Sequence, residues 1–457
     1  MFAARDEEPP GDVAGSPVPI SLDTELPRLL ELTRRGARLG LDRIEEALAL
    51  LDAPQKRFSV IHVAGTNGKG SVSSMLETIL RQCGIRTGLY TSPHLGRFNE
   101  RIQIDGEALD DETFAEVLNG AMHEEMPPLS LFETLTAAAF LAFARRRVEV
   151  AVLEVGVGGR LDATNVVEAP LATAITSIGL DHTRLLGSDL ASIAIEKAGI
   201  SKHGAPLVVG PLDFVATRAT AKVALARGAN PIVWLDDGEP RGIEPGAHRA
   251  RLRYAEHSAI LRVQDGMEFI LRPRLEGRHQ LVNASVAATV AWQLRHSLPG
   301  IEHHIERGVA EARWPGRMER LDGGGGVAVL LDCAHNMEGI ASLCEHLKST
   351  DPARTCLIFG AIDEKPHGPM LDAVARLANR RYYCRPIDPI AGRQAVEPDA
   401  LAAAHPGRAL GSPEEALEAA LLQAQEGELI IVTGSIFLVG AVRAALLGLR
   451  RDAAIPL

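Results

Sequence analysis

A short apolar strand that runs into a glycine-rich turn and then into a helix restricts the possible folds more than any other feature of this sequence. Residues 58–64 form the apolar run, residues 71–83 have apolar side chains at helical spacing, and Gly65-Thr66-Asn67-Gly68-Lys69-Gly70-Ser71 lies between them. Glycines let several backbone N–H groups point into one cradle, and a helix N-terminus and a lysine add positive charge. A hydroxyl such as that of Ser71 is a ligand for magnesium. The pattern predicts a polyphosphate-binding loop.

The spacing of this loop differs from the common Walker form. Gly70 separates Lys69 from the hydroxyl residue, and Val63 stands where the first glycine of that form would be. A glycine-rich turn that only connects a strand to a helix is the alternative interpretation. A lysine and a serine at the mouth of a helix, directly after a buried strand, favour phosphate binding.

Strand-like and helical segments alternate over most of the chain, which predicts an α/β fold with a mostly parallel sheet covered on both faces. In the first part of the chain we expect strands at 58–64, 87–91, 148–155, 171–176 and 206–210, and helices at 26–51, 71–83, 131–146, 190–198 and 281–294. Segment 230–274 is polar and interrupted by glycine and proline, which is more typical of hairpins or of a long excursion than of a crossover unit. Later strands at 327–331, 355–360, 381–386 and 429–433 predict a second, smaller Rossmann-like α/β unit.

The length of the chain agrees with more than one domain, because 457 residues exceed what one compact core usually serves. We predict a flexible leader over residues 1–20, a first domain that contains the phosphate loop over residues 21–305, and a second domain over residues 306–457. The two-domain arrangement would build one cleft within one chain, so we expect a monomer.

Composition excludes several classes of partner. Forty-eight Lys and Arg against 59 Asp and Glu give a net charge of −11, which argues against nucleic acid or an anionic membrane as a partner. No apolar run reaches the roughly 18–20 residues of a membrane-spanning helix, and the acidic, proline-rich N-terminus lacks the pattern of a signal peptide. The five cysteines form no CxxC pair, as is typical of reduced thiols. We expect a cytoplasmic protein.

Polar side chains follow several predicted strands at the edge where ligands collect in a parallel sheet. Glu154 ends one strand, Asp181-His182 follows the next, and Ser92 follows another. A carboxylate there is well placed to hold a cation that bridges phosphate oxygens.

Lys197, at the end of an apolar helix, is by residue type alone a surface lysine with a buried stem. Asp332, after a strand of the second unit, could meet the nucleotide across a cleft.

Segments spread in order over residues 41–440 resemble the folylpolyglutamate synthase/dihydrofolate synthase family, a branch of the Mur ligase superfamily. They are LDRIEEALALL, IHVAGTNGKGSV, TSPHLGRFNERI, LFETLT, EVGVGGRLDATN, IGLDHTRLLG, IAIEKAGI, WPGRME, DCAHN and VTGSIFLVG. Other Mur ligases share the nucleotide loop but lack the LDRIE, TSPHL and GGRLDATN segments. The resemblance implies a P-loop domain of the Mur ligase central type, followed by a ligase domain.

The resemblance also implies cofactors and site residues. It implies ATP, two Mg²⁺ ions, and catalytic roles for Lys69, Lys197 and His335. The implied nucleotide-binding residues are Gly65, Thr66, Asn67, Gly68, Lys69, Gly70, Ser71, Asn283, Arg317 and Asp332. The implied metal ligands are Ser71, Ser92, Glu154, His182 and Lys197, the lysine as a carbamate. The implied pterin-side residues are Phe132, Glu133, Leu161, Asp162 and Ala163.

The implied reaction is ATP-driven amide formation through an acyl phosphate, with dihydropteroate or a reduced folate, L-glutamate and ATP as small-molecule partners. The sequence leaves open whether the acid is dihydropteroate, an existing folate or both; we favour both. The alternative from another functional class is a nucleotide-binding regulator that catalyses no ligation. Such a regulator would not need a site for an acyl phosphate.

The sequence departs from the family pattern at a few positions. Cys333 replaces a usual glycine, Met337 a usual proline and Asp189 a common threonine, and residues 363–366 follow their counterpart only loosely. None of these changes removes a charged participant. They weaken the inference for the contacts of the second domain.

Overall fold

The computed structural model of the chain describes residues 20–36, 39–239, 241–244, 246–386 and 394–452. The predicted leader over residues 1–20 lies outside this part except for Ile20. In the described ranges, no helix combines the length and the apolar character that crossing a membrane requires.

The first unit is built on one large sheet with helices on both faces. Its elements are α1 (Leu22–Glu31), α2 (Asp42–Leu50), β1 (Ser59–Ala64), α3 (Lys69–Gln82), β2 (Thr87–Tyr90), β3 (Ile102–Ile104), β4 (Glu107–Ala108), α4 (Asp111–Ala121), α5 (Leu131–Arg145), β5 (Val150–Glu154), β6 (Ala172–Ile175), α6 (Thr183–Leu186), α7 (Leu190–Ala198), β7 (Leu207–Val209), α8 (Phe214–Ala226), β8 (Ile232–Asp236), β9 (His248–Ala255), β10 (Ser258–Arg262), β11 (Glu268–Leu271), α9 (Arg278–Gln293) and α10 (Ile305–Glu311).

The strands of this sheet lie in the order β11-β10-β9-β8-β7-β6-β1-β5-β2-β3-β4. Neighbours from β9 to β2 pair in parallel, and antiparallel pairs extend both edges. The fold class predicted from the alternation of strands and helices is confirmed. Within segment 230–274, β9 to β11 form the predicted antiparallel hairpins, whereas β8 pairs in parallel with β7 and continues the parallel part of the sheet.

The second unit has its own sheet. Its elements are β12 (Glu319–Asp322), β13 (Ala328–Leu331), α11 (Met337–His346), β14 (Thr355–Phe359), α12 (His367–Val374), β15 (Arg380–Tyr383), α13 (Pro398–Ala404), β16 (Arg408–Ala409), α14 (Pro413–Gln423), β17 (Leu429–Thr433) and α15 (Ile436–Leu447). The strand order is β12-β13-β17-β14-β15-β16, with β12 antiparallel to β13 and the other neighbours parallel.

The predicted helix over residues 26–51 is wrong, because α1 ends at Glu31 and α2 begins at Asp42. Gly36 and Gly40 between them have φ values of +65° and +137°, outside the right-handed helical region. Leucines at helical spacing occur on both sides of this break, so periodicity alone predicts one continuous helix.

The hydrophobic core of the first unit ends just after α10, and the core of the second unit begins a few residues later. Ile305, Val309 and Ala312 are buried in the core formed by α3, α9 and the large sheet, whereas Met318 belongs to the core of the second sheet. Gly308 of α10 lies against the backbone of α3 at Ile79. We therefore propose a domain boundary between residues 312 and 318 instead of 305/306, since α10 packs with the first unit.

β1 lies at the centre of the large sheet, between β5 and β6, and its interior is fully buried. Parallel pairing brings the carboxyl ends of β1, β5 and β6 to the same edge. This edge carries the residues discussed next.

Candidate active site

The glycine-rich loop joins the carboxyl end of β1 to α3. Gly68 has φ +85° at the start of the helix, and the side-chain amide of Asn283 from α9 fills the space next to it. A side chain at Gly70 would meet the indole of Trp314 at 2.7 Å. These close approaches explain why both positions are glycine. They also bring Asn283 to the loop, as the resemblance implies.

Hydroxyl groups that follow β6 fix the backbone of the loop. Thr176 Oγ1 donates to the Asn67 carbonyl at 2.6 Å, and Ser177 Oγ donates to the same oxygen at 3.0 Å. The Gly179 N–H donates to Thr66 Oγ1 at 2.9 Å. Two adjacent strands thus build a pre-formed cradle whose helix N-terminus is suited to an anion.

Lys69 and Glu154 meet at the mouth of this cradle. Lys69 Nζ lies 3.8 Å from Glu154 Oε1, and the Ser92 N–H donates to Glu154 Oε2 at 3.3 Å. Glu154 is buried, as is Ser71 in the first turn of α3. Burial raises the pKa of Glu154, and the nearby Lys69 opposes that rise. A buried carboxylate of this kind is stabilised by additional positive charge.

Lys197 is buried and not a surface lysine. Its Nζ donates to the carbonyl of Gly65 at 2.9 Å, which places the amine beneath the phosphate loop. Burial, helped by the charge of Lys69, lowers the pKa of Lys197 to about 7. A large fraction of this amine is therefore neutral near pH 7, the form that reacts with CO₂.

Asp181 and His182 follow β6 at the same edge. Burial raises the pKa of Asp181, but the ammonium of Lys365 and His182 outweigh it and hold that pKa well below its ordinary value. Burial lowers the pKa of His182 to about 4, so its imidazole is neutral at pH 7. The charges of Lys69 and Lys197 also lower this pKa. Lys69, Glu154 and His182 all lie at or just after the carboxyl ends of neighbouring strands, at the same edge of the sheet.

The second unit presents its residues to this edge from the end of β13. Asp332 accepts from the Met318 and Ala334 N–H groups at 3.1 and 3.0 Å, and burial raises its pKa against the opposing charge of Arg317. His335 Nδ1 lies 2.9 Å from the Cys333 carbonyl. Burial lowers the pKa of His335 to about 3. Because a carbonyl only accepts, the neutral ring carries its proton on Nδ1 and leaves Nε2 as an acceptor.

The predicted pterin-side residues lie around the loop that follows β5. The Phe132 ring packs 5.8 Å from the Tyr90 ring and fills the space beside Gly156. Ala163 is buried and Leu161 is partly exposed. Glu133 is engaged internally: its carboxylate accepts from Ser130 at the N-terminus of α5 and pairs with Arg43 at 2.9 Å. These contacts give Glu133 a role in the structure of the helix terminus, and its role toward a substrate stays a prediction.

A buried hydrogen-bonded chain holds Asp162. His62 Nε2 lies 2.8 Å from Thr164 Oγ1, and Thr164 donates through its hydroxyl and its N–H to Asp162 Oδ1. Asp162 Oδ2 accepts from the Val157 N–H at 2.9 Å. Burial lowers the pKa of His62 to about 3, so its ring is neutral at pH 7. Because the Thr164 hydroxyl donates its proton to Asp162, its oxygen accepts from the Nε2–H of His62. His62 was not predicted from the sequence, because the residues around a histidine in an apolar strand do not indicate which side chain it will contact.

The predicted metal ligands are one carboxylate, one imidazole and two serines, with Lys197 as the fifth. Within the described ranges, no group of three or more His, Cys, Asp and Glu side chains gathers as a closed metal site. The oxygen donors Ser71, Ser92 and Glu154 fit Mg²⁺, because this ion often takes one or two protein carboxylates and completes its shell with phosphate and water oxygens. The donor chemistry fits a cation shared with a polyphosphate.

Comparison with known proteins decides the family. The Mur ligase middle domain matches residues 63–291, and the Mur ligase glutamate ligase domain matches residues 316–436. A folylpolyglutamate synthase of Lacticaseibacillus casei is 34% identical over 417 residues, which are 89% of this chain and 94% of that protein. The chain belongs to the folylpolyglutamate synthase/dihydrofolate synthase family. The family resemblance of the sequence is thereby confirmed.

Solved structures of this family have the same fold. The structure of Escherichia coli FolC in complex with DHPP and ADP has a TM-score of 0.81 and 29% identity, over 94% of this chain and 98% of that one. A bifunctional folylpolyglutamate synthase/dihydrofolate synthase with Mn, AMPPNP and L-glutamate bound has a TM-score of 0.79 and 30% identity, over 93% and 98%.

Some relatives are much longer. The chain spans 49% of a Haloferax volcanii protein named probable bifunctional folylpolyglutamate synthase/dihydropteroate synthase, with 33% identity over 91% of this chain. The dihydropteroate synthase activity in that name is a property of that longer protein.

Proposed function

We propose that the protein is an ATP-dependent ligase that joins L-glutamate to the carboxylate of dihydropteroate or a folate through an acyl phosphate. The observation that carries the proposal is the contact between the partly exposed Lys69 and the buried Glu154, 3.8 Å apart at the mouth of the phosphate loop. A lysine charge beside a carboxylate suited to a cation is what the approach of two anions, triphosphate and carboxylate, requires.

ATP would lie with its phosphates in the cradle of residues 65–71. Asn283 packs on Gly68 and supports a nucleotide contact there. Arg317 makes no hydrogen bond or ion pair with any residue of the described ranges, so its guanidinium is available for a ligand. Asp332 and the neutral His335 approach from the second unit, with His335 Nε2 as an acceptor.

Ser71, Ser92, Glu154 and His182 would hold Mg²⁺, and a carbamate on Lys197 would add a ligand for a second ion. Bound Mg²⁺ would draw charge from the phosphate oxygens and weaken their repulsion of the incoming acid. The buried amine of Lys197, with its pKa of about 7, supports carbamate formation. Both the second ion and the carbamate are parts of the proposal.

In the first step, a carboxylate oxygen of the acid forms a bond to the γ-phosphorus, and the bond from that phosphorus to the bridging oxygen breaks. ADP leaves with the electron pair. In the second step, the glutamate nitrogen attacks the acyl carbon, the carbon–oxygen bond to phosphate breaks, and the amine loses a proton to solvent. Lys69 offsets the charge that develops in the first step, and closure by the second unit keeps water from the acyl phosphate.

The acid would bind on the pterin side, around Phe132, Glu133 and residues 161–163. Hydrogen bonds among His62, Thr164 and Asp162 fix the loop that follows Glu154. This loop connects the phosphate site to the region where the acid would bind. We favour activity on both dihydropteroate and reduced folates. Folylpolyglutamate synthesis alone is the narrower alternative.

The test is ADP release and product mass with dihydropteroate and with tetrahydrofolate, each with and without L-glutamate. We expect amide product from both acids, and release of ADP at the full rate only when acid and glutamate are both present. Product from tetrahydrofolate alone would support the narrower activity. ATP binding without ligation of either acid would contradict the proposal and favour a nucleotide-binding regulator.

A further inference from the structure

A side chain from the second unit reaches into the rim of the first. Lys365 lies in the segment between β14 and α12, and its Nζ donates to Asp181 Oδ1 at 2.6 Å. The two side chains are only 22% and 12% exposed. A pair that is so short and so shielded from solvent is worth more than an ordinary surface ion pair.

The same oxygen of Asp181 shapes the backbone of His182. The His182 N–H donates to Asp181 Oδ1 at 2.8 Å. His182 has φ +50° and ψ +35°, a left-handed conformation that is uncommon for a residue other than glycine. Such a conformation persists only when surrounding contacts hold it. Lys365 therefore fixes the carboxylate that holds His182 in its turn.

Asn336 holds the other oxygen of Asp181 and also reaches the phosphate loop. Its Nδ2 donates to Asn67 Oδ1 at 3.0 Å and lies 3.4 Å from Asp181 Oδ2. Its own Oδ1 accepts from the Gly339 N–H at 2.9 Å, which fixes the amide at the start of α11. Lys365 and Asn336 of the second unit thus reach Asp181, His335 Nε2 lies 3.9 Å from Asp181 Oδ2, and Asn336 also reaches the phosphate loop.

We propose that Lys365 is a positioning residue for the ligation reaction, which acts through Asp181 to hold His182 and the adjoining rim of the site in place. The inference rests on the proposed function, and it adds a residue to which the family resemblance gave no role. It makes the geometry of the first unit depend on docking of the second. Without Lys365, the Asp181 carboxylate loses its counter-charge and the turn at His182 is free to relax.

The kinetic test uses Lys365→Met, Lys365→Arg and, as a matched control, Lys348→Met. Lys348 also pairs with a carboxylate of the second unit, Glu345, but on the exposed surface. We expect Lys365→Met to lower kcat about tenfold to a hundredfold, the usual effect of losing a partner of a metal-site residue. KM for the pteroate acid, which binds on the other side of the site, should stay unchanged. Lys365→Arg should restore most of kcat, and Lys348→Met should have no effect.

A second readout does not depend on ligation. Hydrogen exchange of residues 178–187 in the protein without ligands should become faster in Lys365→Met and stay unchanged in Lys348→Met, while exchange in β1 and β5 stays slow. In an Asp181→Asn background, which removes the charge that Lys365 meets, Lys365→Met should have little further effect on either readout.

The positioning role requires both effects. Unchanged kcat, unchanged exchange, or equal effects of Lys365→Met in the two backgrounds would overturn it while leaving the ligase proposal intact. If the unmodified protein fails to ligate either acid, the proposed function fails instead. Hydrogen exchange would then decide by itself whether Lys365 holds the turn.

Discussion

In the proposed reaction, Lys69 supplies positive charge where the triphosphate and the acid meet. It lies between the Thr66 carbonyl, 3.3 Å away, and the Glu154 carboxylate, 3.8 Å away. We predict that Lys69→Ala lowers kcat by about a thousandfold, because it removes a positioned charge from the transition state. Steady-state ADP release measures the effect, and the exposed Lys348→Ala is the control. Turnover of Lys69→Ala within a few fold of the unmodified protein would contradict the proposed role.

Lys197 allows a test that depends on pH. Its pKa of about 7 means that the neutral amine predominates above pH 7 and the ammonium below it. Because addition of CO₂ consumes the neutral amine and releases a proton, carbamate should increase as the pH rises from about 6 to about 8. In ¹³C-bicarbonate, NMR should detect a carbamate carbon that is absent from Lys197→Met.

Lys202 is the matched control for this experiment. Burial lowers its pKa as well, and its Nζ donates to the Asn165 carbonyl at 3.0 Å. Lys202→Met should keep the ¹³C signal and the activity. A spectrum that Lys197→Met leaves unchanged would refute the carbamate.

At the scale of single residues, the sequence could identify the phosphate loop because its chemistry is contiguous, from Gly65 to Ser71. The interpretation of Lys197 from residue type alone, as a surface lysine, was wrong, because burial under Gly65 is a property of the packed fold. Lys365 and Asn336 contact Asp181, which is more than 150 positions away in the sequence. Spacing within a sequence carries no signal for such a contact between two units.

At the scale of elements, close packing explains where α10 belongs. A Cβ added to Gly308 would lie 2.6 Å from Ile79 Cα and 2.9 Å from Ile79 N, in the backbone of α3. Since backbone cannot move aside cheaply, Gly308→Ala should destabilise the first unit by about 1–3 kcal/mol. Unfolding in denaturant, followed by hydrogen exchange in α3, would measure the loss.

Gly368→Ala is the control, since this glycine also lies in a helix but has open space around it. It should be neutral or slightly stabilising, by up to about 1 kcal/mol. Equal stability of the two variants would show that α10 does not pack against α3, and would support the boundary at 305/306.

Periodicity predicts the central strands of the large sheet and misses the short ones at one end. Strands β1, β2, β5, β6 and β7 are apolar runs bounded by turns, and each overlaps a predicted segment. The short strands β3 and β4, at one end of the large sheet, were not predicted. Those two have three and two residues, too few for a pattern of alternation. The break between α1 and α2 depends on the backbone conformations of Gly36 and Gly40, which apolar spacing does not encode.

At the scale of the whole molecule, one chain supplies both sides of the site. The phosphate loop, Glu154 and His182 belong to the first unit, and Asp332, Asn336 and Lys365 reach the same rim from the second. A further contact joins the units away from the rim, where Asp452 accepts from the Phe98 N–H at 2.7 Å. Residues from another copy are therefore not needed to assemble these groups.

A self-contained site predicts activity that does not depend on protein concentration. A dimer that completed the site would dissociate on dilution and lose activity by mass action, whereas a single chain keeps its specific activity. We expect constant ADP release per chain over an about hundredfold dilution, with sedimentation of a single chain at the lower concentrations. Activity per chain that falls on dilution, together with a dimer at high concentration, would mean that a second copy contributes to the site.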